Sequence, residues 1–311
     1  MDGITDAAFR FIVDKYGAPD VLFTEFVSVK GLEIGRPAMM RMLFKHETKT
    51  PTIVQLFGND PKLFYPATIT VLKKGFDGVD INMGCPDQSV FSRGGGAALI
   101  LKPKIAQEII KNVKKAVKDF GKKEITVSVK TRTGYKVHQT KEWISQLLEA
   151  EPDMICIHGR TYEQRFLGKA DWEQIAQAKE LAKKTKTKIL GNGDVKNKKE
   201  ALQKIRQYNL DGILIGRAAL GNPWIFQDKI PTQDERIKVM LEHAQKFMEF
   251  FPNGDFKAMR KHLAWYTKYF DGSARIRNEL MKVNNIEDVK KAMLEKSHLP
   301  LMTQDTSSNR L

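Results

Sequence analysis

The stretch Gly78-Val79-Asp80-Ile81-Asn82-Met83-Gly84-Cys85-Pro86 decides the fold. Apolar Val79 and Ile81 alternate with polar Asp80 and Asn82, and a glycine and a proline follow, the pattern of a short strand that stops abruptly. It reads as the fourth strand of a parallel barrel, with Cys85 just past the C-terminal end, where barrel enzymes carry their chemistry. A cysteine is often only a small buried hydrophobe. Here Gly84 permits a tight turn and Pro86 ends the strand, so the thiol is expected to project into a cleft. Directly downstream, Arg93-Gly94-Gly95-Gly96-Ala97-Ala98-Leu99 reads as a loop suited to closing over a ligand.

Outward from this strand, apolar runs alternate with amphipathic helices through residue 231, the pattern of an α/β fold with a parallel sheet. Strands are expected near Val21-Ser28, Pro51-Gly58, Gly78-Gly84, Glu124-Gly134, Met154-Thr161, Thr187-Val195 and Asp211-Gly216. These are seven strands of a (β/α)8 TIM barrel. Met1 to Asp6 reads as a loop entering a helix at Ala7, so the opening strand is missing, as if translation began upstream or the chain were cut. Polar residues gather at the strand ends: Gln55, then Lys130 and Arg132, then His158 and Arg160. Cys156 sits mid-strand between Ile155 and Ile157 and is assigned to packing. The next two strands end in Gly191-Asn192-Gly193-Asp194 and Gly216-Arg217, placed where such barrels build a phosphate site from backbone N–H groups.

From about residue 234 onward the chain reads as helices only, giving a catalytic domain over 1–231 and a small all-helical domain over 232–311. Between 257 and 270, Lys257, Arg260, Lys261 and Lys268 share one side of an expected helix, with Met259, Leu263, Tyr266 and Phe270 opposite. That basic face either is merely solvated or holds phosphates. The end, Thr303 to Leu311, is polar and expected to fray. Net charge is +15 over 311 residues, which favours a polyanionic partner. Residues 232–311 hold 14 Lys and Arg against 11 Asp and Glu, so +12 of that excess lies upstream. Lysines on the expected 102–118 helix, whose apolar Ile105, Ile109, Val113 and Val117 recur every fourth residue, form a solvated face. Two cysteines exclude a disulfide framework and fit a reducing cytoplasm. No run is apolar enough for a membrane helix, and no spacing fits a structural metal.

Taken in order, these motifs resemble the tRNA-dihydrouridine synthase family, nearest its bacterial B-type branch, over almost the whole chain. The resemblance rests on Met1-Asp2-Gly3-Ile4-Thr5-Asp6, Asn82-Met83-Gly84-Cys85-Pro86, Lys130-Thr131-Arg132-Thr133-Gly134, His158-Gly159-Arg160-Thr161, Gly191-Asn192-Gly193-Asp194 and Gly216-Arg217. The branch is indicated by Gly94-Gly95-Gly96-Ala97-Ala98-Leu99 and Gly221-Asn222-Pro223-Trp224-Ile225-Phe226. It implies FMN as cofactor, NADPH as reductant and uridine of the tRNA D-loop as substrate. Gln55, Lys130 and His158 would face the flavin ring, Met1 would lie beside it, and Asn192, Gly193, Asp194, Gly216 and Arg217 would hold ribityl and phosphate. Asn82 would hydrogen-bond the uracil, and Arg160 would contact base or backbone. Lys257, Arg260, Lys261 and Lys268, with Trp265 and Tyr269 nearby, would meet the tRNA. A thiol of ordinary pKa, about 8.5, is protonated at neutral pH, which suits Cys85 as general acid. A monomer is expected. Two other readings stay open: an FMN barrel acting on a free pyrimidine or another small molecule, and a tRNA-binding protein without catalysis.

Overall fold

The computed structural model describes residues 1–294 apart from Asp2, Lys123, Asp228 and Tyr269. Tyr269 and the Thr303–Leu311 end therefore lie outside the described residues. The chain divides into two compact units, Met1–Ile230 and Pro231–Leu311.

Among the described residues of the first unit run seven strands: β1 (Leu22–Ser28), β2 (Thr52–Phe57), β3 (Gly78–Met83), β4 (Thr126–Arg132), β5 (Met154–His158), β6 (Lys188–Asn192) and β7 (Gly212–Leu214). Every neighbouring pair is parallel and the sheet order is the chain order. Parallel neighbours need a crossover, and helices supply each one. α1 (Ala7–Gly17) precedes β1; α2 (Val29–Glu33) and α3 (Pro37–Met42) lead to β2; α4 (Pro61–Lys73) leads to β3. α5 (Gln88–Ser92), a 3-10 turn (Gly96–Leu101) and α6 (Pro103–Phe120) lead to β4, and α7 (Thr140–Leu148), α8 (Trp172–Ala182) and α9 (Lys198–Gln207) make the remaining crossovers. The fold is the TIM-barrel arrangement expected, with seven strands.

β3 is buried along its whole length, as a strand covered on both faces must be. Val79, Ile81 and Met83 join the apolar layer shared with α4 and α6, and Asp80 and Asn82 alternate to the barrel interior. Register then sets polar side chains side by side: Gln55 with Asp80, Asp80 with Ser128, Asn82 with Lys130, Arg132 with His158, and His158 with Asn192. On α6 the buried stripe is Ala106, Ile109, Ile110, Val113 and Ala116, while Ile105 and Val117 are half-buried. A strict four-residue repeat drifts around a helix of 3.6 residues per turn, so the stripe follows the three-four spacing instead.

The second unit holds α10 (Gln233–Phe250), a 3-10 turn (Phe256–Met259), α11 (Arg260–Tyr266), α12 (Ser273–Leu280) and α13 (Ile286–Leu294). α10 opens with a reciprocal cap, Thr232 accepting from the Glu235 N–H and Glu235 from the Thr232 N–H. Met259, Leu263, Tyr266 and Phe270 are all buried, as their spacing predicts. The single helix expected over 257–270 is instead a 3-10 turn and a two-turn helix that stops at Tyr266. Asp255 caps the turn through the Lys257 N–H, fixing a tighter start than the periodicity implies.

Candidate active site

Asn82 Oδ1 accepts from the N–H groups of Gly84 (3.1 Å) and Cys85 (2.9 Å), so the last polar side chain of β3 holds the turn that carries the thiol. From β4, Arg132 Nε donates to Gly84 O (2.8 Å) while Nη1 donates to Thr161 O (2.8 Å) and Arg165 O (3.0 Å). Cys85 O accepts from the Ala97 N–H at 3.2 Å. Gly96 has φ +57°, and a Cβ there would stand 3.0 Å from Cys85 O and 3.1 Å from Cys85 Cβ. Only glycine allows this approach. The glycine loop was expected to close over a ligand, but residues 95–99 are buried and lead into the 3-10 turn Gly96–Leu101, packed against Cys85. They are the floor of the thiol turn, because the carbonyl of Cys85 is tied to them.

Cys85 is half-buried and opens on a cavity of about 580 Å³ at the C-terminal ends of the strands. Every cofactor residue expected from the sequence lines it: Met1, Gln55, Lys130, His158, Asn192, Gly193, Asp194, Gly216 and Arg217. Asn82 lines it too. Asn192 Nδ2 donates to Leu214 O at 2.7 Å, which ties the ends of β6 and β7 together. Gly193 takes φ +133°, where a Cβ would meet Ala170 Cβ at 2.5 Å, so this turn also requires glycine.

The electrostatics are those of a cationic cleft. Burial pulls the Lys130 ammonium below its ordinary pKa, Arg132 adds to this, and Cys156 and Asp80 oppose it. No hydrogen bond or ion pair engages that ammonium among the described residues. Burial, helped by Lys130, Arg132, Arg160 and Arg217, pushes His158 down to about 2, so its ring is neutral. Arginine can only donate, so His158 Nε2 accepts from Arg160 Nη1 (3.2 Å) and the ring proton lies on Nδ1. Burial works to raise Asp194, but hydrogen bonds from Arg160 and the Ala170 N–H and the charges of Arg160 and Arg217 hold it below the usual carboxylate range. Burial pushes Asp80 up to about 6 against hydrogen bonds from Ser128 and Gln55. Cys156 is buried, as its place in β5 predicts, and burial pushes its thiol up to about 12.

Arg160 was expected at the substrate, and the structure sets it behind the cavity wall. It is 2 % exposed and binds Leu167 O, Gly168 O, His158 and Asp194 Oδ2, the last at 2.6 Å. Arg260 likewise turns to its own unit, Nε donating to Val283 O (2.9 Å) and Nη2 to Lys282 O (3.2 Å) and Asn284 Oδ1 (2.9 Å). Lys257 and Lys268 are exposed and Lys261 is half-buried. Sequence reasoning did not single out Ser128, which donates to Asp80, or Phe166, which lines the cavity. Ser128 could have been found from the two-residue alternation it shares with Lys130 and Arg132. No such signal marks Phe166, which stands on an irregular loop. Among the described residues no group of three or more His, Cys, Asp or Glu could hold a metal, and no helix is long and apolar enough to cross a membrane.

The model of the family described as Dihydrouridine synthase (Dus) matches residues 1–301. This chain belongs to that family. It is 31% identical over 305 residues to a probable tRNA-dihydrouridine synthase 1 of Synechocystis sp., covering 93% of this chain and 82% of the relative. It is 32% identical over 300 residues to a probable tRNA-dihydrouridine synthase of Staphylococcus aureus (93% and 89%), and 31% identical over 299 residues to a probable tRNA-dihydrouridine synthase 2 of Bacillus subtilis (93% and 90%). Among solved structures, histamine dehydrogenase from Rhizobium sp. 4-9 aligns with TM-score 0.53 at 15% identity, over 78% of this chain and 46% of that one. A 2-naphthoyl-CoA reductase aligns with TM-score 0.55 at 11% identity, over 73% and 48%. The chain thus spans about half the length of these two larger proteins, and they share its fold. For a dihydrouridine synthase, the thiol turn and the two glycine turns around one cavity are the parts to explain.

Proposed function

We propose that this chain reduces uridine in tRNA to 5,6-dihydrouridine, with bound FMN, NADPH as reductant and Cys85 as general acid. One observation carries the reading: the Cys85 turn opens on the same cavity as Lys130 and the glycine turns at 193–194 and 216–217. The residues present fit a flavin mononucleotide. The cavity volume, about 580 Å³, falls in the roughly 300–1,000 Å³ range of small-molecule sites. A Cβ on Gly216 would meet only Met1 Sδ, at 3.7 Å, so glycine leaves open room beside Arg217 for a phosphate. The unengaged ammonium of Lys130 and the Nδ1–H of neutral His158 are donors suited to the acceptor-rich edge of a flavin ring. In this reading Gln55, Lys130 and His158 take the ring, with Met1 a further contact, and Asn192, Gly193, Asp194, Gly216 and Arg217 take ribityl and phosphate.

When bound, FMN supplies the hydride that saturates C6 of the uracil. The protein supplies the proton. The C5–H bond forms as the Cys85 S–H bond breaks, and solvent returns a proton to sulfur. Arg132 lies close enough to feel a charge on Cys85, which steadies the thiolate left behind. Asn82 both pins the Cys85 turn and offers an N–H to the base. Uridine stacked in folded RNA has to be turned out to reach such a pocket. The helical unit grips the RNA meanwhile through Lys257, Lys261 and Lys268, with Trp265 beside them, while Arg260 keeps the unit folded. The work is done in the cytoplasm.

Cys85→Ala tests this. A positioned acid typically contributes about 10²- to 10⁴-fold, so dihydrouridine formation should fall by about two orders of magnitude or more. Flavin should remain bound, as read by visible absorbance, and NADPH should still bleach it. Unchanged turnover would remove Cys85 from the chemistry, and a colourless protein would remove the flavin.

A further inference from the structure

Beneath the cavity a row of side chains from three strands is joined end to end. Ser128 Oγ donates to Asp80 Oδ1 (2.5 Å) and Gln55 Nε2 donates to Asp80 Oδ2 (2.6 Å). Asn82 Nδ2 donates to Gln55 Oε1 (2.9 Å), and Asn82 Oδ1 accepts from the Gly84 and Cys85 N–H groups. The polarity of this row is fixed from both ends. Backbone N–H groups can only donate, so Asn82 must turn its oxygen toward the Cys85 turn and its NH₂ toward Gln55. An ionised carboxylate can only accept, so Gln55 must turn its NH₂ down to Asp80 and its oxygen to Asn82. Each amide keeps one N–H uncommitted among the described residues, and both side chains line the cavity. Asp80 is 1 % exposed and does not line it.

We propose that Asp80 is a positioning residue for the reaction: it orients the Gln55 and Asn82 amides so that the cavity meets N–H donors, which select ring carbonyl oxygens, and so that the Cys85 turn stays pinned. Were the row reversed, Asn82 would turn its NH₂ against the N–H of Cys85, a donor facing a donor. An unmade hydrogen bond at a buried group is costly, and cost is what makes the orientation unique. The substrate half of the inference rests on reading this cavity as the uridine site.

The test breaks the row and repairs it. Gln55→Glu sets two carboxylates face to face where donor and acceptor now stand 2.6 Å apart. Adding Asp80→Asn restores a donor opposite an acceptor at that link and leaves Asn82 oriented as before. In a pH series, above the step at which the carboxyl pair gives up its shared proton, Gln55→Glu should lower kcat by about tenfold or more, with KM for tRNA little changed. In flavin-free protein, alkylation of Cys85 by iodoacetamide should quicken about threefold or more as the turn loosens. Cys156 is buried and does not compete. The double variant should bring alkylation back to within about threefold of wild type, while kcat stays low because a carboxylate at position 55 offers the cavity no N–H, and Asp80→Leu should quicken alkylation as Gln55→Glu does. A double variant alkylated as fast as Gln55→Glu overturns the proposal, as does Asp80→Leu with wild-type kcat and alkylation. If Asp80→Leu fails to fold, the comparison of single with double variant decides by itself. Alkylation is read without substrate or flavin, so the row can fail while the uridine reading stands, and the reverse.

Discussion

Arg160 commits four N–H donors at once, to Leu167 O, Gly168 O, His158 Nε2 and Asp194 Oδ2. Arg160→Ala would leave Asp194 Oδ2 with the Ala170 N–H alone and release the 167–168 turn. Asp194 keeps 32% of its side-chain surface, so the loss of stability should come at or below the roughly 3–5 kcal/mol seen when fully buried pairs lose a partner. Urea unfolding measures it, and weaker flavin binding should accompany it. A lysine in that place makes too few directed bonds to restore it. The sequence marks Arg160 as a polar residue at a strand end and cannot show that its guanidinium points back into the wall. That direction is set by loop carbonyls seven and eight residues on and by Asp194 on another strand's end. Two buried histidines give a pH prediction. His158 is held down to about 2 and His243 to about 3, both by burial first. Above the ordinary histidine value, about 6.5, folded and unfolded chains are alike at these sites. Below it the unfolded chain takes up protons that the folded chain refuses, so stability is lost as pH falls, by about 1.4 kcal/mol per pH unit for each ring. The loss continues toward the folded values of about 3 and about 2. His243→Gln should remove one of these two slopes from the acid limb of the unfolding free energy.

At the scale of elements, the 3-10 turn Gly96–Leu101 connects β3 to α6 and also carries the carbonyl of Cys85. Gly96→Ala puts a Cβ against Cys85 and forces an L-residue to φ +57°. Left-handed backbone costs a non-glycine residue about 1–2 kcal/mol. A displacement of the thiol by a fraction of an ångström should lower turnover between roughly ten- and a hundredfold. Gly96 does not line the cavity, so flavin affinity should hold, and the split between turnover and flavin binding is the measurement. All seven strands were legible because each is short, apolar and bounded by turn residues, and pairing in chain order leaves little choice of register. The glycine-rich stretch was not legible in the same way. Glycines mark both a mobile loop and a close backbone approach, and only the hydrogen bond to Cys85 O tells which applies here. The break in the 257–270 helix escaped for a related reason. Its apolar spacing is correct, but the Asp255 side chain capping the Lys257 N–H tightens the first turn, and periodicity does not register a cap.

For the whole molecule, most of the positive excess lies on the unit that carries the proposed chemistry. Residues 232–311 carry an excess of only +3 of the total +15, and the other +12 belongs to residues 1–231. If the chain binds a polyanion, this distribution predicts that most of the salt dependence of binding comes from the barrel unit, with the helical unit contributing a few directed contacts. Each phosphate neutralised adds about 0.7–0.9 to the slope of log affinity against log salt. Replacing Lys257 and Lys261 together by Gln should make that slope shallower by about 1–2 and leave the larger part of it intact. Arg260→Gln is the internal control. Its guanidinium is committed to Val283 O, Lys282 O and Asn284 Oδ1, so the substitution should lower the melting temperature of the helical unit and leave the salt slope where it was. Fluorescence titration of labelled tRNA across a salt series reads both variants. A slope that collapses on losing two lysines would move the grip to the helices, and a slope that follows Arg260 instead would mean that its hydrogen bonds give way when RNA arrives.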